Sequence, residues 1–174
     1  MANPSNIPEI MVDFNVYNQA EKLIGSGPEI ELPEFESITA TVSGAGVMGE
    51  YETSAPGHFS SMEIEIPFRT ITDEASSLNE PRRQQLVFRG SIQYYNRIRG
   101  INEHRPLKVV IAGKPKGLSP GKMIKSEQME ATAKIEIEYI KLETDGKTLV
   151  ELDKLNSIYV VNGRDYYETI RNMI

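Results

Sequence analysis

The chain has 174 residues, of which 25% are charged and 39% hydrophobic, and its formal net charge is −6. This composition is typical of one globular domain and excludes a disordered chain. The sequence contains no cysteine, which excludes a disulfide framework, a thiolate metal site and a thiol nucleophile.

The N-terminal segment has none of the features of a targeting sequence. It lacks the basic and apolar regions of a signal peptide, and no run approaches the ~18 apolar residues of a membrane helix. We therefore expect no membrane anchor and assembly in a cytoplasm. Residues 1–9 are polar and contain Pro4 and Pro8, which predicts an N-terminal arm.

Alternating apolar and polar residues, the period of a half-buried strand, recur along the chain. They predict strands at 10–16, 22–24, 37–43, 61–69, 85–95, 106–112, 131–139 and 148–153. Helices are predicted at 73–79, where Thr72 can cap the first turn, and at 164–172. Residues 29–35, 96–105 and 114–125 read as a connector, a polar turn and a basic loop. The tally predicts a mainly β fold, an antiparallel β-sandwich or barrel with one or two short helices.

Residues 44–59 (GAGVMGEYETSAPGHF) break every periodicity, with four glycines and one proline. They predict a long loop or an irregular hairpin, and long loops in compact domains are usually functional or disordered. Met48 and Tyr51 are unfavourable side chains to leave in water. We therefore expect this segment to dock on a partner, and the alternative is an unstructured connector.

Residues 126–163 form the most regular stretch of the sequence. Period 2 from Ala131 to Tyr139, followed by Asp145-Gly146, predicts a long hairpin with a type I′ turn. Glu136 and Glu138 lie on its polar face. Ile140 and Leu142 fall on that same face, which predicts a β-bulge or a change of environment along the ribbon.

Charge is segregated along the chain. Residues 1–80 carry 14 acids and 2 bases, residues 81–125 carry 11 bases and 1 acid, and residues 126–174 carry 10 acids and 6 bases. Such blocks suit contacts in which the basic part of one copy meets the acidic part of the next. Alternatively, folding brings the blocks together within one subunit.

Several motifs resemble catalytic or ligand sites, and none fits. Gly117–Met123 resembles a phosphate-binding loop, but it is one residue short between its glycines and lacks the hydroxyl residue after its lysine. His58 and His104 have no partner at metal-ligand spacing. Glu136 and Glu138 lie ~7 Å apart on one strand face, as expected of a solvated strand. We predict neither an enzyme nor a cofactor or metal site.

Five segments within residues 30–172 carry a resemblance to a known family. They are Gly44–Gly49 (GAGVMG), Phe88–Gly90 (FRG), Ala112–Lys116 (AGKPK), Tyr139–Asn156 (YIKLETDGKTLVELDKLN) and Val161–Asp165 (VNGRD). In this order the chain resembles the major tail tube proteins of contractile-tailed bacteriophages, the FII-type family shared with R-type phage-tail-like bacteriocins. The C-terminal third is the most specific part of the resemblance.

The resemblance implies a single tail-tube domain and a structural role. Hexameric rings of β-sandwich subunits would stack into the inner tube of a virion tail, which conducts DNA or punctures an envelope without catalysis or cofactor. The implied partners are further copies of the chain, the tail sheath, the baseplate or hub, the tail terminator and a tape measure protein in the lumen. Phage DNA would pass through without specific binding.

Within such a tube, particular residues have expected positions. We expect contacts between subunits or rings at Gly44, Gly46, Met48, Tyr51, Lys114, Lys116 and Lys122. The hairpins at 86–112 and 131–153 would line the channel, with Glu136 and Glu138 facing the lumen. Pairing of the 131–153 hairpin with the next subunit would close the ring and leave no exposed edge.

Two other functions remain open from the sequence. The inner tube of a type VI secretion system has a similar implied fold and exports effectors. A DNA-binding β-domain would use the basic block 81–125, which includes Phe88, Tyr94 and Tyr95. The predicted pI of 5.1 argues against phosphate binding over a broad face.

Overall fold

The computed structural model describes residues 6–19, 21–23 and 25–174. Eleven strands and two short helices lie in this part of the chain, so the mainly β prediction is confirmed. Their bounds are β1 Asn6–Asn18, β2 Glu21–Lys22, β3 Ser37–Ser43, β4 Glu50–Phe59, β5 Glu63–Phe68, α1 Asp73–Ser77, β6 Gln84–Asn96, β7 Ile101–Ser119, β8 Ala131–Thr144, β9 Lys147–Asp153, β10 Ile158–Val161, β11 Arg164–Asp165 and α2 Glu168–Arg171.

Strand β8 is the branch point of the main antiparallel sheet. The sheet runs in the order β11-β10-β9-β8-β7-β6-β1-β2, and β5 also pairs with β8. β5 pairs with residues 131–136 of β8, whereas β9 pairs with residues 139–144. Because one edge of β8 changes partner along its length, the sheet divides there and its apolar face can close around one core.

A β-bulge marks the point of division. Ala112 of β7 pairs with Tyr139, but the next residue, Gly113, pairs with Ile137, so Glu138 is the extra residue of β8. The bulge resets the side-chain alternation, and Ile137 and Ile140 are therefore both buried. Of the two alternatives predicted for this stretch, the structure has the bulge, just before the two residues that suggested it.

The core is built from the apolar positions that the alternation predicts. Ile64, Ile66 and Phe68 of β5 lie opposite Ile135, Ala133 and Ala131 of β8, and all six are buried. Helix α1 contributes Ala75, and the hydroxyl oxygen of Thr72 accepts a 3.3 Å hydrogen bond from its backbone N–H. Each large side chain buried here contributes about 1.5–3 kcal/mol.

Two turns with left-handed residues close hairpins near the C-terminus. Asp145 and Gly146 have φ of 48° and 71°, as the predicted type I′ turn requires. Asn162 and Gly163 have φ of 50° and 81°, and the chain after them returns as β11 against β10. The predicted helix at 164–172 is therefore wrong over its first four residues, and the helix itself is only α2.

Strand β7 contains parts of two segments predicted as loops. Residues 101–105 of the predicted turn and 114–119 of the predicted basic loop both belong to it. The first is polar because none of its residues is buried, with one face exposed and the other only half-buried at Glu103 and Arg105. The second contains a bulge between Pro115 and Gly117. Both conditions remove the apolar alternation on which the prediction depends.

The N-terminal predictions are corrected in part. Residues 6–9 of the predicted arm belong to β1, because they pair with the last residues of β6. Residues 1–5 lie outside the described residues. The return strand is β2, which ends at Lys22, and residue 24 of the predicted strand also lies outside the described part of the chain.

The segment 44–59 is an irregular hairpin rather than a long loop. Residues 50–59 form β4, which pairs with β3 from Ser43–Glu50 to Ser37–Phe59. Only residues 44–49 form the connecting turn. Alternation is absent from β4, where residues 50–56 are all exposed and neither face selects apolar side chains. β3 alternates as predicted, although all of its residues except Val42 are exposed.

Two glycines of β7 provide a matched test of the bulge. A Cβ atom at Gly113 would lie 1.8 Å from the backbone oxygen of Glu136, whereas nothing lies within 4 Å of one at Gly117. We expect Gly113→Ala to lower the free energy of unfolding by about 3 kcal/mol, the upper end for overpacked sites. Gly117→Ala should change it by less than about 0.5 kcal/mol. Urea unfolding of both variants measures this, and equal midpoints would contradict the close approach.

Candidate assembly surfaces

The β3–β4 hairpin, residues 37–59, projects from the body and is here called the arm. Its two strands pair only with each other. In β3 Val42 alone is half-buried, and in β4 residues 50–56 are all exposed. An isolated two-stranded ribbon is at best marginally stable in water. The arm therefore lacks the packed layer that normally supports such a ribbon.

The base of the arm is anchored by aromatic side chains. Phe59 contacts Phe35 and Tyr159 edge to face, with ring centroids 5.7 Å and 5.2 Å away. Beyond this anchor the register shifts, since Ser37 pairs with Phe59 but Thr39 pairs with Ser54. The extra residues 55–58 separate the rest of the arm from its anchor.

The tip of the arm presents a bare methionine. Gly44, Gly46 and Gly49 all have positive φ, and Met48 between them is fully exposed. Tyr51 is 54% exposed on the adjoining strand. The four predicted contact residues of this segment therefore lie together at and beside the tip.

A long free strand edge lies on another side of the molecule. Strand β1 pairs with β6 along its length, but on its outer edge only Tyr17 and Asn18 pair with β2. Residues 6–15 of that edge have no strand partner in the described part of the chain. Their side chains include the exposed Ile7, Ile10 and Val12. Such an edge is a template for pairing with another chain.

The 131–153 hairpin does not offer a comparable edge, and this corrects the expectation that it closes a ring by pairing. Its outer strand β9 is paired with β10 from Val150 to Asp153. The first half of β8 is paired with β5. These partner strands belong to the same subunit. The expectation was wrong because β10 was not predicted from the sequence. Ile158–Val161 is uniformly half-buried and shows no alternation.

Eight charged residues in three ion-paired groups, here together called the charge ladder, lie on the face of β5, β7 and β8 that points away from the core, with Arg83 reaching it from just before β6. They are Glu63, Glu65, Arg83, Lys114, Lys116, Lys134, Glu136 and Glu138. Four are acidic and four are basic. The strand face that the sequence predicts as acidic is therefore balanced by bases from neighbouring strands.

Lys116 joins two carboxylates that would otherwise repel each other. Glu63 and Glu136 lie directly opposite on β5 and β8, an unfavourable position for like charges. The Lys116 ammonium lies 2.7 Å from Glu63 and 3.4 Å from Glu136. Lys116 is the extra residue of the bulge between Pro115 and Gly117, so the bulge aims it at this pair.

Glu138 is neutralised in the same way at the other bulge. Lys114 and Arg83 place their nitrogens 3.2 Å and 3.5 Å from its carboxylate. Its side chain is only 13% exposed. Along the second half of β8, Lys141 contacts Glu143 at 3.0 Å and Glu151 at 3.7 Å. Paired charges thus continue beyond the charge ladder toward the turn.

The ion pairs shift the pKa values of their members. The hydrogen bond from Lys116 holds the pKa of the Glu63 carboxyl below its ordinary value, and the pKa of Lys116 is raised in return. Glu143 has a lowered pKa for the same reason, with Lys141 as donor. Burial, followed by a 2.9 Å hydrogen bond to Glu151, raises the pKa of the Tyr139 phenol.

The predicted contact lysines thus have different surroundings. Lys114 and Lys116 are held in ion pairs within the subunit, whereas Lys122 lies exposed in the loop after β7 and forms none of these pairs. For several bases of the 81–125 block the acidic partner is in the same chain. Within the described residues, folding therefore neutralises much of the charge segregation.

The described residues contain no group of three or more side chains suited to hold a metal ion. In Gly117–Met123, the segment that resembles a phosphate-binding loop, residues 117–119 are extended and form the end of β7. No helix in the described part of the chain is both long and apolar enough to cross a membrane.

The arm and the free β1 edge are exposed surfaces of the kind that pack or pair with other chains. The model of one family, the phage tail tube protein FII, matches residues 8–174. The chain belongs to this family. It is 37% identical to the tail tube protein of Escherichia phage P2, over all of this chain and 99% of the relative. It is 22% identical to the major tail tube protein of Serratia phage KSP20, over 92% of each.

Membership of the tail tube family confirms the resemblance seen in the short motifs. The family is one of structural proteins, and it makes the chain a component of a virion tail. The free edge of β1 was not predicted from the sequence, because Pro4 and Pro8 led to residues 1–9 being interpreted as an N-terminal extension outside the sheet. A proline is tolerated in an edge strand, so the strand predicted at Ile10 did not have to stop at Pro8. The register shift between Pro8 and Ile10 puts Ile7 out of phase with Ile10 and Val12, so alternation alone would not have included it.

The ion pair at Lys116 predicts a pH dependence of stability. A carboxyl whose pKa is lowered by folding stabilises the fold above its unfolded pKa of about 4.5, and this contribution is lost as the pH falls. We expect Lys116→Met to reduce the difference between the urea midpoints at pH 7 and pH 3. Lys122→Met is the control and should leave that difference unchanged. If the two variants behave alike, the Glu63–Lys116 pair contributes nothing.

Proposed function

We propose that the protein is the structural subunit of an inner tail tube, in which hexameric rings stack into a conduit for DNA ejection or envelope puncture. The observation that carries this proposal is the full-length match to the tail tube protein of Escherichia phage P2. The tube itself performs no catalysis and holds no cofactor. Its role rests on shape and on contacts between identical subunits.

The arm supports stacking. An exposed ribbon with an apolar tip gains a packed layer when it lies on another subunit, and rings that stack provide that layer repeatedly. Gly44, Gly46, Met48 and Tyr51 are accordingly the contact residues of the arm. Of the three predicted contact lysines, Lys122 is the one that lies exposed after β7 and outside the ion pairs of the charge ladder, so it is available for a contact between subunits.

The free edge of β1 supports ring closure. A ring made of sheets that continue from one subunit to the next leaves no edge exposed. Residues 6–15 provide unpaired backbone groups over about 30 Å at ~3.3 Å per residue. In this arrangement β1, rather than the 131–153 hairpin, pairs with the neighbouring subunit.

The charge ladder supports a role as the channel wall. Glu136 and Glu138 lie on the polar face of the long strands, opposite the core, as an inner wall requires. Because each is paired with a base of the same subunit, the wall carries alternating charge rather than a net acidic field. DNA passes such a wall without specific binding.

The remaining partners follow from this role. The outer surface of the tube would contact the tail sheath, its ends the baseplate or hub and the tail terminator, and its lumen the tape measure protein. Assembly would take place in the host bacterial cytoplasm. A tube of this kind serves an infectious phage and a DNA-free phage-tail-like bacteriocin equally.

The comparisons do not favour the two alternative functions. The two relatives described above, which match 92% or more of the chain, are phage tail tube proteins and not secretion tubes. A DNA-binding domain needs lysine and arginine side chains that are free to contact phosphates. Here Lys108, Lys114 and Lys116 each form an ion pair with a carboxylate of the same chain.

Electron microscopy of concentrated protein tests the proposal directly. We expect rings or tubes from the unaltered chain, and Met48→Glu should abolish stacking because it places a charge in an apolar contact. The urea midpoint of the variant should correspond to a stability change of less than about 0.5 kcal/mol, since Met48 contacts nothing within the subunit.

Met173→Glu is the matched control, because Met173 is 78% exposed near the C-terminus. It should assemble as the unaltered chain does. If the unaltered chain formed nothing but monomers at every protein and salt concentration tested, the proposed tube would be refuted. If the Met48→Glu variant still formed tubes, the tip of the arm would not be part of the contact between stacked rings.

A cysteine at position 136 tests the assignment of the channel wall. The chain has no other cysteine, so Glu136→Cys introduces a single labelling site. In assembled tubes we expect a bulky maleimide polymer to react with it at least tenfold more slowly than in free subunits. Equal rates in tubes and subunits would place the charge ladder on the outer surface instead.

A further inference from the structure

An apolar groove of about 240 Å³ opens at the end of the core, between β1, β7 and the connector that precedes the arm. Here it is called the connector groove, and its lining includes Met11, Phe14, Ile30, Leu32 and Leu107. The apolar side chains come from the sheet on one side and from residues 28–32 on the other. It is a concave apolar surface of the kind that binds a side chain.

At the floor of the groove, Met11 packs closely over Gly90. A Cβ atom at Gly90 would lie 2.8 Å from the sulfur of Met11, so the methionine occupies the space that any larger residue would fill. Leu107 lies opposite Gly90 on β7. Beyond these residues the sheet continues outward as β1, β6 and β7 without the rest of the core beneath it.

The chain also carries a projecting side chain that has no place to pack. Met48 is fully exposed at the tip of the arm, between glycines that have positive φ. A methionine is flexible and polarisable, and it fills irregular apolar gaps well. Since Met48 has no contact in its own subunit, the tip and the groove do not meet within one chain.

We propose that Met48 of one copy inserts into the connector groove of a neighbouring copy. A knob and a pocket at different places on identical subunits form a heterologous contact, which propagates into rings or stacked assemblies. This inference rests on the proposed tube and names the surface on which the arm docks. Residues of the groove, including Leu32 and Leu107, become buried only in the assembly.

The dimensions of the two parts are compatible. At about 30 Å³ for each water, the groove has the volume of about eight waters, enough for a thioether side chain. The seven residues of β3 span about 23 Å at ~3.3 Å per residue, so the tip reaches well beyond its own subunit.

Charge indicates the side from which the arm approaches. The arm carries Glu36, Glu50 and Glu52 near and along its strands and no lysine or arginine. The connector wall of the groove is acidic, with Glu29 among its lining residues. On the sheet side, Arg105 lies two residues from Leu107 and stacks 4.5 Å from the ring of Tyr94. Arg105 is already paired with Asp145 of the same chain at 3.6 Å, so the sheet side adds no free positive charge but lacks the acidic repulsion of the connector wall. The acidic arm therefore crosses the sheet side of the groove.

A pair of cysteines tests the contact directly. In a chain without cysteine, the double variant Met48→Cys and Leu32→Cys can form only disulfides that involve these two sites. Oxidation of assembled tubes should produce a ladder of covalent multimers on a denaturing gel, because each copy is joined head to tail to the next. Met48→Cys with Ile98→Cys, where Ile98 is 80% exposed at the β6–β7 turn, is the matched control and should stay monomeric.

The outcomes separate the docking site from the tube itself. If the control pair produced covalent multimers in tubes and the pair with Leu32→Cys did not, the connector groove would not be the docking site of Met48. The proposed tube would not be affected. Failure of the unaltered chain to form rings or tubes would remove the proposed function and the contact together.

A single-cysteine variant covers the case in which the double variant does not assemble. Leu32→Cys alone, with Met48 in place, should lose at least tenfold in its maleimide labelling rate when the subunits form tubes. An unchanged labelling rate in tubes would overturn the proposal.

Discussion

The pairing of β7 with β8 is the constraint on which the rest of the structure depends. The β-bulge at Glu138 allows one strand to pair with β5 before it and with β9 after it. Without that extra residue, Ile140 would fall on the polar face and the two halves of the sheet could not share a core. Gly113 makes the bulge possible, because only a residue without a Cβ can lie so close to the backbone of Glu136.

The same bulges arrange the charges. A strand that alternates perfectly would leave Glu63 and Glu136 opposite each other with no base between them, and the second bulge of β7 supplies Lys116 to that position. The bulge in β7, on one edge of β8, thus neutralises the carboxylates that β5 and β8 bring together on the other edge. The apolar face and the charged face of β8 are therefore two consequences of one hydrogen-bonding pattern.

The sequence predicted best where one face of a strand is buried. The core strands β5, β6 and β8 alternate as Ile64, Ile66 and Phe68 do, and the Asp145-Gly146 turn was found from its conformational requirement. Prediction failed where burial does not impose a period. In β4 both faces are exposed, and in β10 both are half-buried. The charge ladder was predicted only on its acidic side, because the positions of Lys114 and Lys116 depend on pairing between distant strands. The groove was missed for the same reason.

Charges that cancel in adjacent pairs also determine what a moving polyanion experiences. The potential above isolated like charges extends for about a Debye length, ~8 Å at physiological salt. Opposite charges held about 3 Å apart, as Lys116 and Glu63 are, cancel most of that potential beyond their own spacing. A phosphate backbone sliding over such a surface meets neither a deep well that would arrest it nor a high barrier that would stop it. Four acids and four bases paired in this way give the charge ladder a high density of charge and no net charge.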